Sequence, residues 1–263
     1  HNMDVRVFQN IPHVFRQLGS GQTARILFMN AAIAKRFQTE IRTEFLFEKS
    51  PFVFEDFDDP LPDNAVVITF DDGYESVYLE AWPRLCDHGF TATVFLITDY
   101  CGRDNRWPDQ PAWVPTRPLL TWDQVETMSA KGCEFGAHTR THPSLVCLPL
   151  TQAEDEITAS QQAVHEHTGE PVRAFAYPYG AVNAEVHGIA RRHFDGAAGT
   201  RLGLSQPNSD PYDLARIDAC YLTPGLARSM NRPSFHLYLN FRRVLRILRR
   251  LFVADWQPAR PVE

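Results

Sequence analysis

An α/β fold with a parallel sheet, either a small or incomplete (β/α) barrel or a doubly wound sheet, is what this sequence predicts, on three observations. Short apolar runs alternate with helix-like segments along most of the 263 residues; parallel strands need a crossover between them, and a helix is the usual one. No internal repeat, low-complexity tract or Gly/Ser linker divides the chain, which favours a single domain over 1–263. The three most polar clusters, "DDG", "HTRTH" and "YPYG", each stand directly after an apolar run. In a parallel barrel the loops that follow the strands share one face, so topology alone would bring these distant stretches together.

The elements follow in chain order. "ARILFMN" (Ala24 to Asn30) reads as a strand, "AAIAKRFQTEIRTEF" as a helix and "NAVVITF" (Asn64 to Phe70) as a buried strand. "YESVYLEAWPRLCDHG" reads as a helix kinked by Pro83, because proline removes an amide donor and crowds the preceding turn. "TATVFLIT" (Thr91 to Thr98) is the next strand, followed by a Pro-, Asp- and Arg-rich loop to Pro118. Thr121 with Gln124, and Thr151 with Glu154, have the spacing of capping boxes and predict two helix starts. "CEFGA", "VRAFA", "DGAAGT" and "LARIDA" read as the later strands.

Composition narrows the function. A hydrophobic content of 44% and a charged content of 22% suit a packed globular protein. The net charge of −6 argues against nucleic acid as a partner. Five scattered cysteines without a CxxC pair make a disulfide framework or a cysteine zinc site a poor reading. No apolar run reaches the roughly 18–20 residues of a membrane span, and the start lacks a basic-then-apolar signal. If Met3 is the native start, cytoplasmic residence is the expectation; a trimmed start leaves export open.

"TFDDGY" sets two carboxylates side by side at the end of a buried strand, where both repulsion and burial call for a positive partner. "AHTRTH" holds His138 and His142 with three residues between them. On a helical turn that spacing points both imidazoles one way, as two ligands of one metal ion. With one aspartate they make a His/His/Asp set that keeps positions open for water and substrate. One carboxylate is then a ligand and the other a general base that deprotonates the water. Each motif alone has a plainer reading, two chance surface histidines or a tight Asp/Gly turn; found together after strands, they favour the metal site.

"TFDDGY", "AHTRTH" and "AFAYPYG" resemble motifs one to three of the polysaccharide deacetylases, carbohydrate esterase family 4 or NodB-homology domain, over about Ala65 to Ala219. The resemblance implies a distorted, incomplete (β/α) barrel with a divalent metal, zinc foremost and cobalt or nickel as alternatives. It implies hydrolysis of N-acetyl, or O-acetyl, groups of a glycan or lipid-linked sugar, a metal-bound water being the nucleophile. Residue by residue, it makes Asp71 the catalytic base, Asp72, His138 and His142 the ligands, and Tyr179 the backbone donor to the oxyanion. Thr139 stands where the family steadies the histidine loop and is counted, with Pro178, among the substrate-binding residues; Pro178 and Gly180 also read as a plain turn. The division expected is an N-terminal strand/helix extension (1–63), a NodB-homology core (64–225) and a C-terminal helical segment (226–263).

The sequence also departs from the family. The arginine of motif three is Ala176 here, and Arg216 in "LARID" is the substitute, against the alternative of an exposed arginine at a strand end. No clear copy of the late motif that carries the general-acid histidine follows Asp218; His236 is the only histidine there, and Asn30 replaces the Tyr-His pair of one branch. Two other readings therefore stand beside the deacetylase: a glycan-binding pseudoenzyme that keeps the metal cradle, and a barrel-related hydrolase of small cyclic amides. Trp107 and Trp113 in the long loop suit a sugar-stacking rim. The basic amphipathic stretch from Phe241 to Phe252 either packs its apolar face on the barrel or docks on a membrane surface.

Overall fold

A computed structural model describes residues 6–7, 25–29, 65–108, 110–205, 209–221 and 232–252. The strands are β1 (Arg6–Val7), β2 (Arg25–Met29), β3 (Ala65–Phe70), β4 (Thr93–Leu96), β5 (Glu134–Ala137), β6 (Ala174–Ala176), β7 (Gly196–Leu202) and β8 (Leu214–Asp218). All pairings between these strands are parallel, in the order β1-β3-β2-β8-β7-β6-β5-β4, and β4 also pairs with β3. One edge of β3 is thus shared: its first two residues bond β1, while Thr69 and Phe70 bond β4. The ring from β2 to β8 closes through that short seam and through the single pair Ala137 with Phe175. This is a distorted (β/α) barrel in which β1 has no full place, the incomplete barrel of the expectation.

The α-helices are α1 (Trp82–Asp87), α2 (Trp122–Ser129), α3 (Leu150–Thr168), α4 (Ala184–His193) and α5 (Pro233–Phe252). Strand positions match the sequence reading within one or two residues at most ends. Proline at position 83 produces something other than a simple kink: Val77–Ala81 winds as a π-turn and α1 begins at Trp82, so the altered bonding is absorbed before the ring of Pro83. The capping box of α2 forms, Thr121 Oγ1 accepting from Gln124 N at 3.2 Å and Gln124 Oε1 from Thr121 N at 3.0 Å. The second box does not. α3 starts at Leu150 behind Pro149, inside which Thr151 has no capping role, and Glu154 instead accepts from Arg192 at 2.8 Å and approaches His193 at 3.1 Å.

Two sequence expectations meet the sheet differently. β2 lies between β3 and β8, so the stretch read as an extension contributes a wall of the barrel. The helix expected over 31–45, and Asn30, lie outside the described residues. On β3 the period-two alternation is visible: Ile68 and Phe70 join the core beneath the helices, while Thr69 meets Arg216 on the opposite side. The helix-side core is continuous, running from Val94, Leu96 and Phe135 to Leu85, Val125, Ile157 and Ile189. A separate cluster of Val66, Leu202 and Ile217 is covered by Phe235 and Leu239 of α5.

Candidate active site

Three loops, each leaving the end of a strand, carry the site: Asp71 to Tyr74 after β3, His138 to His142 after β5 and Tyr177 to Gly180 after β6. The four non-glycine residues with positive φ among those described are Asp72 (69°), Thr139 (68°), His142 (62°) and Tyr179 (58°), all within these loops. Such a backbone costs on the order of 1–3 kcal/mol per residue and persists where the surroundings over-determine it. The histidine pair is therefore not presented by a helical turn, as its spacing suggested; an irregular loop aims both rings.

That loop is held at several points. Thr139 Oγ1 donates to the His138 carbonyl at 2.5 Å and accepts from the amide of His142 at 3.0 Å. Glu156 of α3 accepts from the amides of Arg140 and Thr141, both at 2.9 Å, and from the Thr141 hydroxyl at 2.8 Å. Arg140 reaches Asp99 and Asp155. No motif in the sequence pointed to Glu156, because its partners are backbone amides that any residue could supply.

Asp72 Oδ1 lies 3.4 Å from His138 Nε2 and 3.5 Å from His142 Nε2. Donor atoms held about 2.0–2.1 Å from one tetrahedral ion are separated by about 3.3 Å, so this set fits a zinc-sized cation. The tautomer fits as well. His138 Nδ1 is 2.7 Å from the Ala176 carbonyl, which only accepts, so that nitrogen carries the proton and leaves Nε2 with a lone pair. Burial first, then the neighbouring His138, hold the pKa of His142 well below the ordinary histidine value, keeping it a neutral donor. At His138 burial pulls the other way from the result: the hydrogen bond to Asp72, the charges of Asp71 and Asp72 and the Ala176 carbonyl outweigh it and raise the pKa. Asp72, His138 and His142 can hold a metal ion.

Asp71 stands beside them with 8% of its surface exposed, and Arg216 is buried against it. Arg216 Nη1 and Nη2 donate to the two oxygens of Asp71 at 2.7 and 2.8 Å, Nε to the Gly199 carbonyl at 2.8 Å and Nη1 to Thr69 Oγ1 at 3.3 Å. The exposed strand-end alternative for Arg216 is excluded. Its guanidinium also lies 5.9 Å from the ring centre of Phe95, and Gly136 is what admits that ring: a Cβ at 136 would stand 2.6 Å from Phe95 Cε1 and 2.9 Å from the Ala174 oxygen.

The remaining expectations divide. Tyr179 presents its ring 4.5 Å from that of His142. Thr139 and Pro178 are buried and have no surface for substrate, so both act by shaping loops; this corrects their placement among substrate-binding residues. Trp107 is 3% exposed and packs 4.7 Å from the His142 ring, so it has no face for a sugar and belongs to the support of that ligand. Trp113 is 77% exposed and remains available for stacking. The Ala176 carbonyl, Glu156, Phe95 and Trp107 are supports that sequence reading did not assign.

Comparison with known proteins now bears on the same loops. The sequence profile described as polysaccharide deacetylase matches residues 58–193, more than half of the chain. The chain is 26% identical over 189 residues to the poly-beta-1,6-N-acetyl-D-glucosamine N-deacetylase of Staphylococcus aureus (strain MRSA252), covering 66% of this chain and 58% of that protein. It is 27% identical over 168 residues to YxkH of Bacillus subtilis (strain 168), covering 64% and 54%. The chain thus spans a little over half the length of these curated relatives. In fold it resembles IcaB from Ammonifex degensii, with a TM-score of 0.60 at 23% identity over 78% of this chain and 94% of that one. It also resembles the BpsB deacetylase domain from Bordetella bronchiseptica, with a TM-score of 0.57 at 19% identity over 74% and 95%. The profile match and the strand-end loops that carry its motifs place the chain in one family: it belongs to the polysaccharide deacetylases.

Proposed function

We propose that this protein is a metal-dependent deacetylase that hydrolyses N-acetyl groups of a glycan. The observation that supports the reading best is the convergence of Asp72, His138 and His142 beside an Asp71 whose two oxygens are gripped by Arg216. Zinc suits two imidazoles and a carboxylate, and cobalt or nickel accepts the same donors. When bound, the ion supplies Lewis acidity and lowers the pKa of water from 15.7 toward about 7.

The residues of the chain take the other roles. Asp71 accepts the proton of the attacking water as its oxygen bonds to the acetyl carbon, and Arg216 keeps that carboxylate in one orientation. Arg216 is a positioning residue in this scheme. The amide of Tyr179 donates to the carbonyl oxygen as charge develops there; a backbone donor is fixed before the charge appears. The carbon–nitrogen bond then breaks as the proton taken up by Asp71 passes to the nitrogen, giving acetate and an amine that leaves only once protonated. An ester would leave without that proton, so O-acetyl groups make the smaller demand where no clear copy of the family's late histidine motif follows Asp218.

The name of the S. aureus relative makes N-acetylglucosamine oligomers the first substrate to try. Acetate release should require added zinc, cobalt or nickel and stop on chelation. Absence of release with every metal from neutral and acidic oligomers alike, with oligomer binding retained, would sink the enzymatic reading and leave a binding module.

A further inference from the structure

A second concavity adjoins the site. A cavity of about 540 Å³ runs from Tyr179 and Gly180 along the end of β7 to α5. The junction is tight: a Cβ on Gly180 would collide with the side chain of Thr200, so the loop after β6 is seated directly on the wall of this groove. Tyr179 is common to both regions, one face of the groove and the T-shaped neighbour of His142. A ligand filling the groove would therefore lie one side chain away from the metal-ligand set.

The lining is cationic. Arg201, Arg243, Arg246 and His236 face it, with no carboxylate among the described lining residues. Arg201 is matched by Asp213 at 2.9 Å. Arg243 donates to Asn240 Oδ1 at 2.8 Å and Arg246 to the Thr200 carbonyl at 3.2 Å, contacts that occupy donors without cancelling charge. Among the described residues neither is ion-paired. Leu204, Ala215 and Leu239 add apolar lining. Guanidinium groups beside apolar lining suit a sugar ring that carries a carboxylate or phosphate, which arginine grips with two parallel hydrogen bonds.

We propose that this groove is a subsite for an acidic sugar residue, one bearing a carboxylate or phosphate, next to the sugar that is deacetylated. The inference rests on the deacetylase reading for what happens beside the groove, though not for the groove itself. It makes the substrate an acidic heteropolymer in preference to a neutral homopolymer of N-acetylglucosamine.

The test compares three oligomer probes on the metal-loaded protein: neutral N-acetylglucosamine, alternating N-acetylglucosamine and glucuronate, and N-acetylglucosamine carrying phosphate. Acidic oligomers should be bound and turned over more efficiently, and the better of the two names the anion. Arg243→Gln, Arg246→Gln and Asn240→Glu should each lower the acidic-to-neutral ratio of kcat/KM about tenfold, the scale of one charge-assisted hydrogen bond. Arg243 and Asn240 are exposed, so those two variants should melt as the parent does. Affinity for the acidic oligomer should fall several-fold as salt rises from about 0.05 to about 0.5 M. Equal kcat/KM for all three probes with no effect of the variants overturns the proposal. If no probe releases acetate, calorimetry separates the two ideas: salt-sensitive binding of an acidic oligomer that the variants weaken keeps the subsite while the deacetylase reading fails, and no such binding overturns the subsite.

Discussion

Asp71 and Arg216 form a buried two-pronged ion pair, at 2.7 and 2.8 Å, between residues 145 apart in the chain. Removing one partner of such a pair strands the other charge away from water, which costs about 3–5 kcal/mol. Arg216→Met should accordingly lower stability by roughly that amount. Arg216→Lys keeps the charge but cannot bridge both oxygens and the Gly199 carbonyl at once. Its kcat should fall by about a hundredfold with metal content preserved, the pattern of a misplaced base. Full activity in Arg216→Lys would show that the fork is dispensable.

Metal analysis distinguishes the two adjacent aspartates. Asp72→Ala, His138→Ala and His142→Ala each delete one of three clustered donors and should empty the site. Asp71→Asn should retain the ion and lose activity, because it removes only the proton acceptor. An Asp71→Asn protein without metal beside a loaded Asp72→Ala protein would reverse the assignment.

Thr139 is fully buried, with its hydroxyl both donating to the His138 carbonyl and accepting from the His142 amide. Thr139→Val keeps the shape and orphans both groups, at about 1–3 kcal/mol. Metal affinity should drop about tenfold, as when an outer support of a ligand is lost. Thr139→Ser should restore most of it. Equal metal affinity in all three proteins would mean that strand β5 alone aims the histidines.

α5 carries its apolar stripe outward. Leu237, Phe241, Val244, Leu245 and Leu248 are exposed, whereas Phe235 and Leu239 pack on the barrel and Arg242 lies 4.6 Å from the Tyr221 ring centre. Of the two readings of the stretch from Phe241 to Phe252, packing of the apolar face on the barrel is not met by Val244, Leu245 and Leu248, which are exposed as Phe241 is: the packed face is made by residues further upstream. No helix among the described residues is long and apolar enough to cross a membrane. An apolar stripe on a helix without a single acidic residue suits the surface of an anionic bilayer. Co-sedimentation with anionic liposomes should weaken with salt and vanish in Leu237→Ser/Phe241→Ser. Equal recovery in the supernatant with and without liposomes would refute membrane docking.

Much of this protein is legible in its sequence. The alternation of apolar runs and helical segments determines a parallel α/β sheet, because buried strands and crossover helices leave different periodicities in the chain. The polar clusters at 71–73, 138–142 and 177–180 were visible as polar residues placed where apolar runs end, and the pair of aspartates called for positive charge nearby. Tertiary structure decided what periodicity does not encode. That Arg216 is buried and not at the surface depends on β8 standing one strand, β2, away from β3, whose end carries Asp71. That Thr139 and Trp107 support the histidines without touching substrate depends on burial, which follows from packing by residues far away in sequence. β2 enters the barrel wall through hydrogen bonds to β3 and β8 that its short apolar run does not specify. The outward turn of the α5 stripe has the same origin: an amphipathic sequence defines two faces, and only the surface it meets decides which one is buried.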